Sequence, residues 1–68
     1  MSIYQEGLNF DRTVDFFISF DEETEEYVVD IFNAQISDKD QAYIETFECE
    51  HFEEALESAQ NYKLPIAA

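Results

Sequence analysis

The sequence predicts an α+β fold: a three-stranded antiparallel sheet, extended to four strands if the N-terminal segment pairs at an edge, with one C-terminal helix packed on one face. Three observations support this. Apolar residues alternate at Val14, Phe16, Ile18 and Phe20, the period of a half-buried strand. A second β-rich stretch covers 27–34. From about Glu50 the period changes, and Phe52, Ala55, Leu56, Ala59 and Tyr62 recur at spacings of three and four, the stripe of an amphipathic helix.

In chain order, 3–10 has a weak pattern and is at most an edge strand. Residues 13–20 form the first clear strand. The run Asp21-Glu22-Glu23-Thr24-Glu25-Glu26 then gives an acidic hairpin tip. In 27–34, Tyr27, Val29 and Ile31 share one face while Val28, Asp30, Phe32 and Ala34 share the other. Neither face is plainly polar, and Phe17 adds an apolar group to the second. That face is therefore expected to be covered by the N-terminal segment or by another chain, which also admits a homodimer. A turn follows at Ser37, Asp38, Lys39 and Asp40, residue types that bond back to turn backbone. Residues 41–48 give a third strand, with Tyr43, Glu45 and Phe47 facing one way and Ala42, Ile44 and Thr46 the other. The helix is expected to carry Glu50, Glu53 and Glu54 in its first turn and Lys63 in its last, matching the helix dipole, and to end at Pro65.

The 68 residues have room for one domain, 1–68, and a domain this small is marginally stable. Its 46% hydrophobic content, with seven Phe and four Tyr, separates it from disordered acidic chains. The lone Cys49 permits no intramolecular disulfide and no thiolate zinc site. With an N-terminus lacking a basic-then-apolar leader pattern and no apolar stretch of membrane-spanning length, a reducing, cytoplasmic setting is expected. An acidic surface is repelled by anionic headgroups, so no membrane partner is expected.

Cys49 and His51 are two residues apart, but such residues face different ways on a helix, and nearby carboxylates raise a thiol pKa rather than lower it. No enzyme activity and no catalytic residue are expected. Acid loops also offer oxygen ligands to calcium or magnesium. An EF-hand loop needs Gly at its sixth position and Glu at its twelfth; counted from Asp38 these are Tyr43 and Cys49, and from Asp21 they are Glu26 and Phe32. No metal and no cofactor are expected, and a metal-responsive domain using the loop acids is kept as an alternative.

What remains is charge. Seventeen Asp and Glu against three Lys and Arg give a formal net charge of −14, whereas solubility asks for a magnitude of about 2 to 8 in a small domain. Salt adaptation is the rival explanation, against which the undiminished apolar content stands. The candidate partner-binding residues are Asp21, Glu22, Glu23, Glu25 and Glu26 at the tip, Asp30 and Glu45 on the sheet, and Glu50, Glu53, Glu54 and Glu57 on the helix. The helix carboxylates lie three or four residues apart, about 5–6 Å at Cβ, a row that imitates phosphates read by Lys and Arg. Tyr27, Tyr43 and Phe17 are candidate apolar anchors where exposed.

In size, acidity and aromatic content, with the acid run 21–26 and the helix Glu50-His51-Phe52-Glu53-Glu54-Ala55-Leu56-Glu57, the chain resembles phage-encoded inhibitors of host defence, anti-CRISPR proteins and DNA-mimic inhibitors of restriction enzymes among them. That resemblance carries over no residue by alignment. It implies a stoichiometric inhibitor in the host cytoplasm that blocks a nucleic-acid site on a basic protein without binding nucleic acid itself. An antitoxin-like or regulatory module that covers a basic partner by shape is the alternative.

Overall fold

The computed structural model describes residues 2–64. Its elements are β1 (Ser2–Leu8), β2 (Val14–Asp21), β3 (Glu26–Asn33), α1 (Lys39–Ala42), β4 (Tyr43–Cys49) and α2 (Phe52–Gln60). The four strands form one antiparallel sheet in the order β1-β2-β3-β4, and α2 crosses one face. This is the expected α+β layout with the fourth strand present.

The covered face is the one the alternation picks out. Val14, Ile18, Val29 and Ile31 are 0% exposed and Phe16 2%, and register pairs Phe16 with Ile31 and Ile18 with Val29. Ala55 and Ala59 of α2 are fully buried, so two small side chains let the helix backbone approach the sheet closely. Phe52, Leu56, Tyr62 and Leu64 close the edges of this core.

Several details sharpen or correct the expectation. The N-terminal strand is well paired, but a register shift between Ile3 and Gln5 breaks the period that would have revealed it. The third predicted strand begins at Tyr43 rather than 41, because Asp38 caps a single helical turn: its carboxylate accepts from the Asp40 N–H at 3.0 Å, and the Ala42 N–H reaches the Asp38 carbonyl at 2.8 Å. Ala42, buried at 1% exposure, thus lies in α1. A second irregularity, opposite Ile31 and Phe32, skips Ile44. Tyr43 consequently shares a face with Phe32 and Thr46, while Ile44 packs on the core.

The helix starts at Phe52, so Glu50 precedes its first turn, which holds Glu53 and Glu54. It stops at Gln60, where Asn61 caps it by donating from its side chain to the Glu57 carbonyl at 2.9 Å. Lys63 therefore lies beyond the helix and pairs with Asp11 at 2.6 Å; Pro65 is outside the described residues. Finally, the N-terminal segment forms an edge of the sheet and does not cover the second face, over which Lys39 of α1 reaches.

One corner locks these parts together. Asn9, 2% exposed, accepts from the backbone N–H groups of Thr13 and Val14 and donates to the Thr13 hydroxyl and the Tyr62 carbonyl. The Phe10 N–H donates to the Gln60 carbonyl at 2.8 Å. The β1–β2 loop, in which Arg12 takes φ 59°, is thereby tied to the end of α2.

Candidate binding surfaces

Topology sorts the charges. β2 ends and β3 begins at the same end of the sheet, β4 finishes there, and α2 starts there, with Phe52 stacked edge-on to Tyr27 at 5.7 Å between centroids. The hairpin tip and the helix start thus form one pole. It carries Asp21, Glu22, Glu23, Glu25, Glu26, Glu48, Glu50, Glu53 and Glu54, nine of the seventeen acids, and no Lys or Arg. All three cations, Arg12, Lys39 and Lys63, belong to the opposite end, where the β1–β2 loop, the β3–β4 connection and the close of α2 meet. The predicted tip acids are brought beside Glu50, Glu53 and Glu54. Three predicted residues fall elsewhere: Asp30 on the uncovered face, Glu45 on the helix side, where it accepts from the Tyr62 hydroxyl, and Glu57 further along α2.

The tip is ordered by its own chemistry. The Asp21 carboxylate accepts from the Glu23 N–H at 2.9 Å and its carbonyl from the Glu25 N–H at 2.8 Å, while Glu25 takes φ 57°, a left-handed conformation that costs a non-glycine residue energy. The field of the pole is felt by its neighbours. Burial first, then Glu54 and Glu26, pushes the Cys49 thiol pKa up; partial burial, then Tyr4 and Glu53, does the same to the Tyr27 phenol. A buried thiol held protonated is a poor nucleophile.

The second surface is the uncovered face. Register places Asp15, Phe17 and Ser19 of β2 against Phe32, Asp30 and Val28 of β3, and the last three against Tyr43, Thr46 and Glu48 of β4. Phe17 and Phe32 meet edge-on at 5.6 Å and 84°, Phe32 and Tyr43 at 5.7 Å and 68°. The Lys39 ammonium lies 4.5 Å from the Phe17 centroid and 4.9 Å from that of Phe32, within cation–π range. Beneath it, Thr46 donates to Asp30 at 2.6 Å. A threonine has one hydroxyl proton, so in the 2.7 Å contact between Tyr43 and Thr46 tyrosine is the donor. The result is an open groove of about 660 Å³ lined by aromatic rings, Asp30 and Asp40.

No family model, no curated protein and no solved structure matches this chain.

Of the candidate anchors, Phe17 and Tyr43, the latter 49% exposed, meet in the groove. Tyr27 lies on the opposite face in a cluster with Tyr4, Phe20 and Phe52. Sequence reasoning missed Phe32, Lys39 and Ser19 as groove residues. The available signal was the apolar surplus on the second face; Lys39 gave none, since its reach depends on the turn of α1. Among the described residues, no group of three or more His, Cys, Asp or Glu side chains converges as metal ligands, and no helix is long and apolar enough to cross a membrane.

Proposed function

We propose that this protein is a non-enzymatic acidic inhibitor that binds a basic, nucleic-acid-binding surface of another protein and competes with DNA or RNA for it. The observation that carries this reading is the acidic pole: nine carboxylates on a hairpin tip and a helix start, free of any Lys or Arg. Concentrated charge of one sign steers an oppositely charged partner into encounter, and carboxylates make charge-assisted, often bidentate bonds to arginine. Self-repulsion destabilises so compact a body, and engagement of a basic surface relieves it. The resemblance to anti-CRISPR and DNA-mimic proteins agrees, and with it action in a host cytoplasm.

A second reading, shape-driven cover of a basic partner, is favoured by the aromatic groove. Charge reversal separates the two. A partner isolated by low-salt capture and salt elution is titrated with the protein in the presence of labelled duplex DNA or RNA. The protein is expected to displace the nucleic acid, with affinity falling steeply between low and physiological salt. Glu53→Lys, Glu54→Lys and Glu57→Lys are expected to weaken it in graded fashion. Salt-insensitive binding, or nucleic acid bound alongside unhindered, overturns mimicry.

A further inference from the structure

We infer that the aromatic groove on the uncovered face seats an arginine side chain of the basic partner, and that Lys39 is an internal stand-in for that cation. The inference rests on the reading that the partner is basic, and it names the point of anchorage. The groove already holds a cation over the rings of Phe17 and Phe32, 4.5 and 4.9 Å from their centroids. Its volume of about 660 Å³ has room for a further side chain. Asp30 receives one hydrogen bond from Thr46 on Oδ1, and a carboxylate has about four acceptor sites, so it retains capacity for an N–H donor.

Arginine suits this combination better than lysine. A guanidinium is planar, weakly hydrated, stacks on aromatic faces and forks onto carboxylates, whereas an ammonium is a compact, strongly hydrated point charge. The present occupant is readily displaced: Lys39 is exposed and opens a single helical turn, so it can swing into water without moving the core. A second copy of the chain does not fit the site. Asp15, Asp30, Asp40 and Glu48 surround the groove, and two such faces, each on a body of net charge −14, repel.

The test uses the full chain and a capped oligoarginine peptide at low salt, followed residue by residue through backbone amide NMR shifts. The peptide is expected to shift Phe17, Ser19, Phe32 and Tyr43. Tyr43→Ala, at a half-exposed position that leaves the core intact, is expected to weaken binding about fivefold. Lys39→Ala is expected to tighten it by about threefold or more, as a vacated cation–π seat allows. Arg12→Gln makes the same change in net charge away from the groove and is expected to change it by less than about twofold, a screened long-range effect. Shifts confined to the acidic pole, or equal effects of Lys39→Ala and Arg12→Gln, overturn the groove and leave the basic-partner reading standing. Absence of peptide binding at either surface at low salt overturns both.

Discussion

The two faces of the sheet are built from the same strands and both carry large apolar groups, yet they serve different ends. On the helix side Val14, Phe16, Ile18, Val29 and Ile31 are essentially sealed from water. On the other side Phe17, Val28 and Phe32 are half-buried and Tyr43 is half-exposed, with carboxylates interleaved. Alternation makes one face the fold's own. The surplus on the other is apolar surface that folding does not seal from water, and it is this surface that the proposed arginine seat uses.

The largest expected effect tests that division directly. Phe16→Ala removes a fully enclosed ring, a change that costs about 3–5 kcal/mol. A domain of this size rarely draws more than about 3–5 kcal/mol from its core, so the variant is expected to be unfolded in water by circular dichroism. Phe32→Ala loses two edge-on ring contacts on an open surface and is expected to cost about 1–1.5 kcal/mol, seen as a lower urea midpoint with a cooperative transition retained. Equal costs would make the uncovered face as structural as the covered one.

A middle-sized effect concerns the rim of the covered face, where the Tyr62 hydroxyl donates to Glu45. Tyr62→Phe is expected to cost about 0.5–1 kcal/mol near neutrality, the net worth of one exposed hydrogen bond. Burial, then the bond to Glu45 and its charge, pushes the Tyr62 pKa up to about 12. A folded pKa above the ordinary value of about 10 means that the fold favours the neutral phenol. The contribution is therefore complete below about pH 10 and lost as pH rises through about 12. Urea midpoints taken across that alkaline window are expected to fall more steeply for the wild type than for Tyr62→Phe. Parallel slopes would mean that the phenol gains nothing from Glu45.

The same contrast explains what could be read from the sequence. β2, β3 and α2 were legible because each keeps its period over its full length, so Phe16 and Ala55 declare their faces unaided. The irregularities at Tyr4 and Ile44 insert one residue each and invert every inference beyond them, which hid β1 and put Tyr43 on the wrong side. The acidic tip was legible as a run. Its union with Glu50, Glu53 and Glu54 was not, since it depends on long-range strand register and on α2 returning along the sheet. The groove needed Tyr43 to change face and Lys39 to lie on a helical turn, and neither leaves a trace in local composition.

The smallest effect compares two exposed lysines. Lys63 pairs with Asp11 across a contact whose side chains are 72% and 45% exposed, and such surface pairs contribute little, about 0–1 kcal/mol. Lys63→Ala is expected to lower stability by less than about 0.5 kcal/mol, an effect that vanishes in high salt. Lys39→Ala removes a cation held over the rings of Phe17 and Phe32 and is expected to cost about 0.5–1 kcal/mol. Paired urea titrations at low and high salt measure both. Lys39 is then the residue whose loss weakens the free protein while tightening its hold on an arginine peptide. That opposition of sign, with a gain beyond that of Arg12→Gln, distinguishes a stand-in ligand from a structural cation, because removing a purely structural lysine improves binding only through net charge. If Lys39→Ala leaves stability unchanged at low salt, the ammonium contributes nothing over Phe17 and Phe32, and any gain in peptide affinity reflects net charge alone.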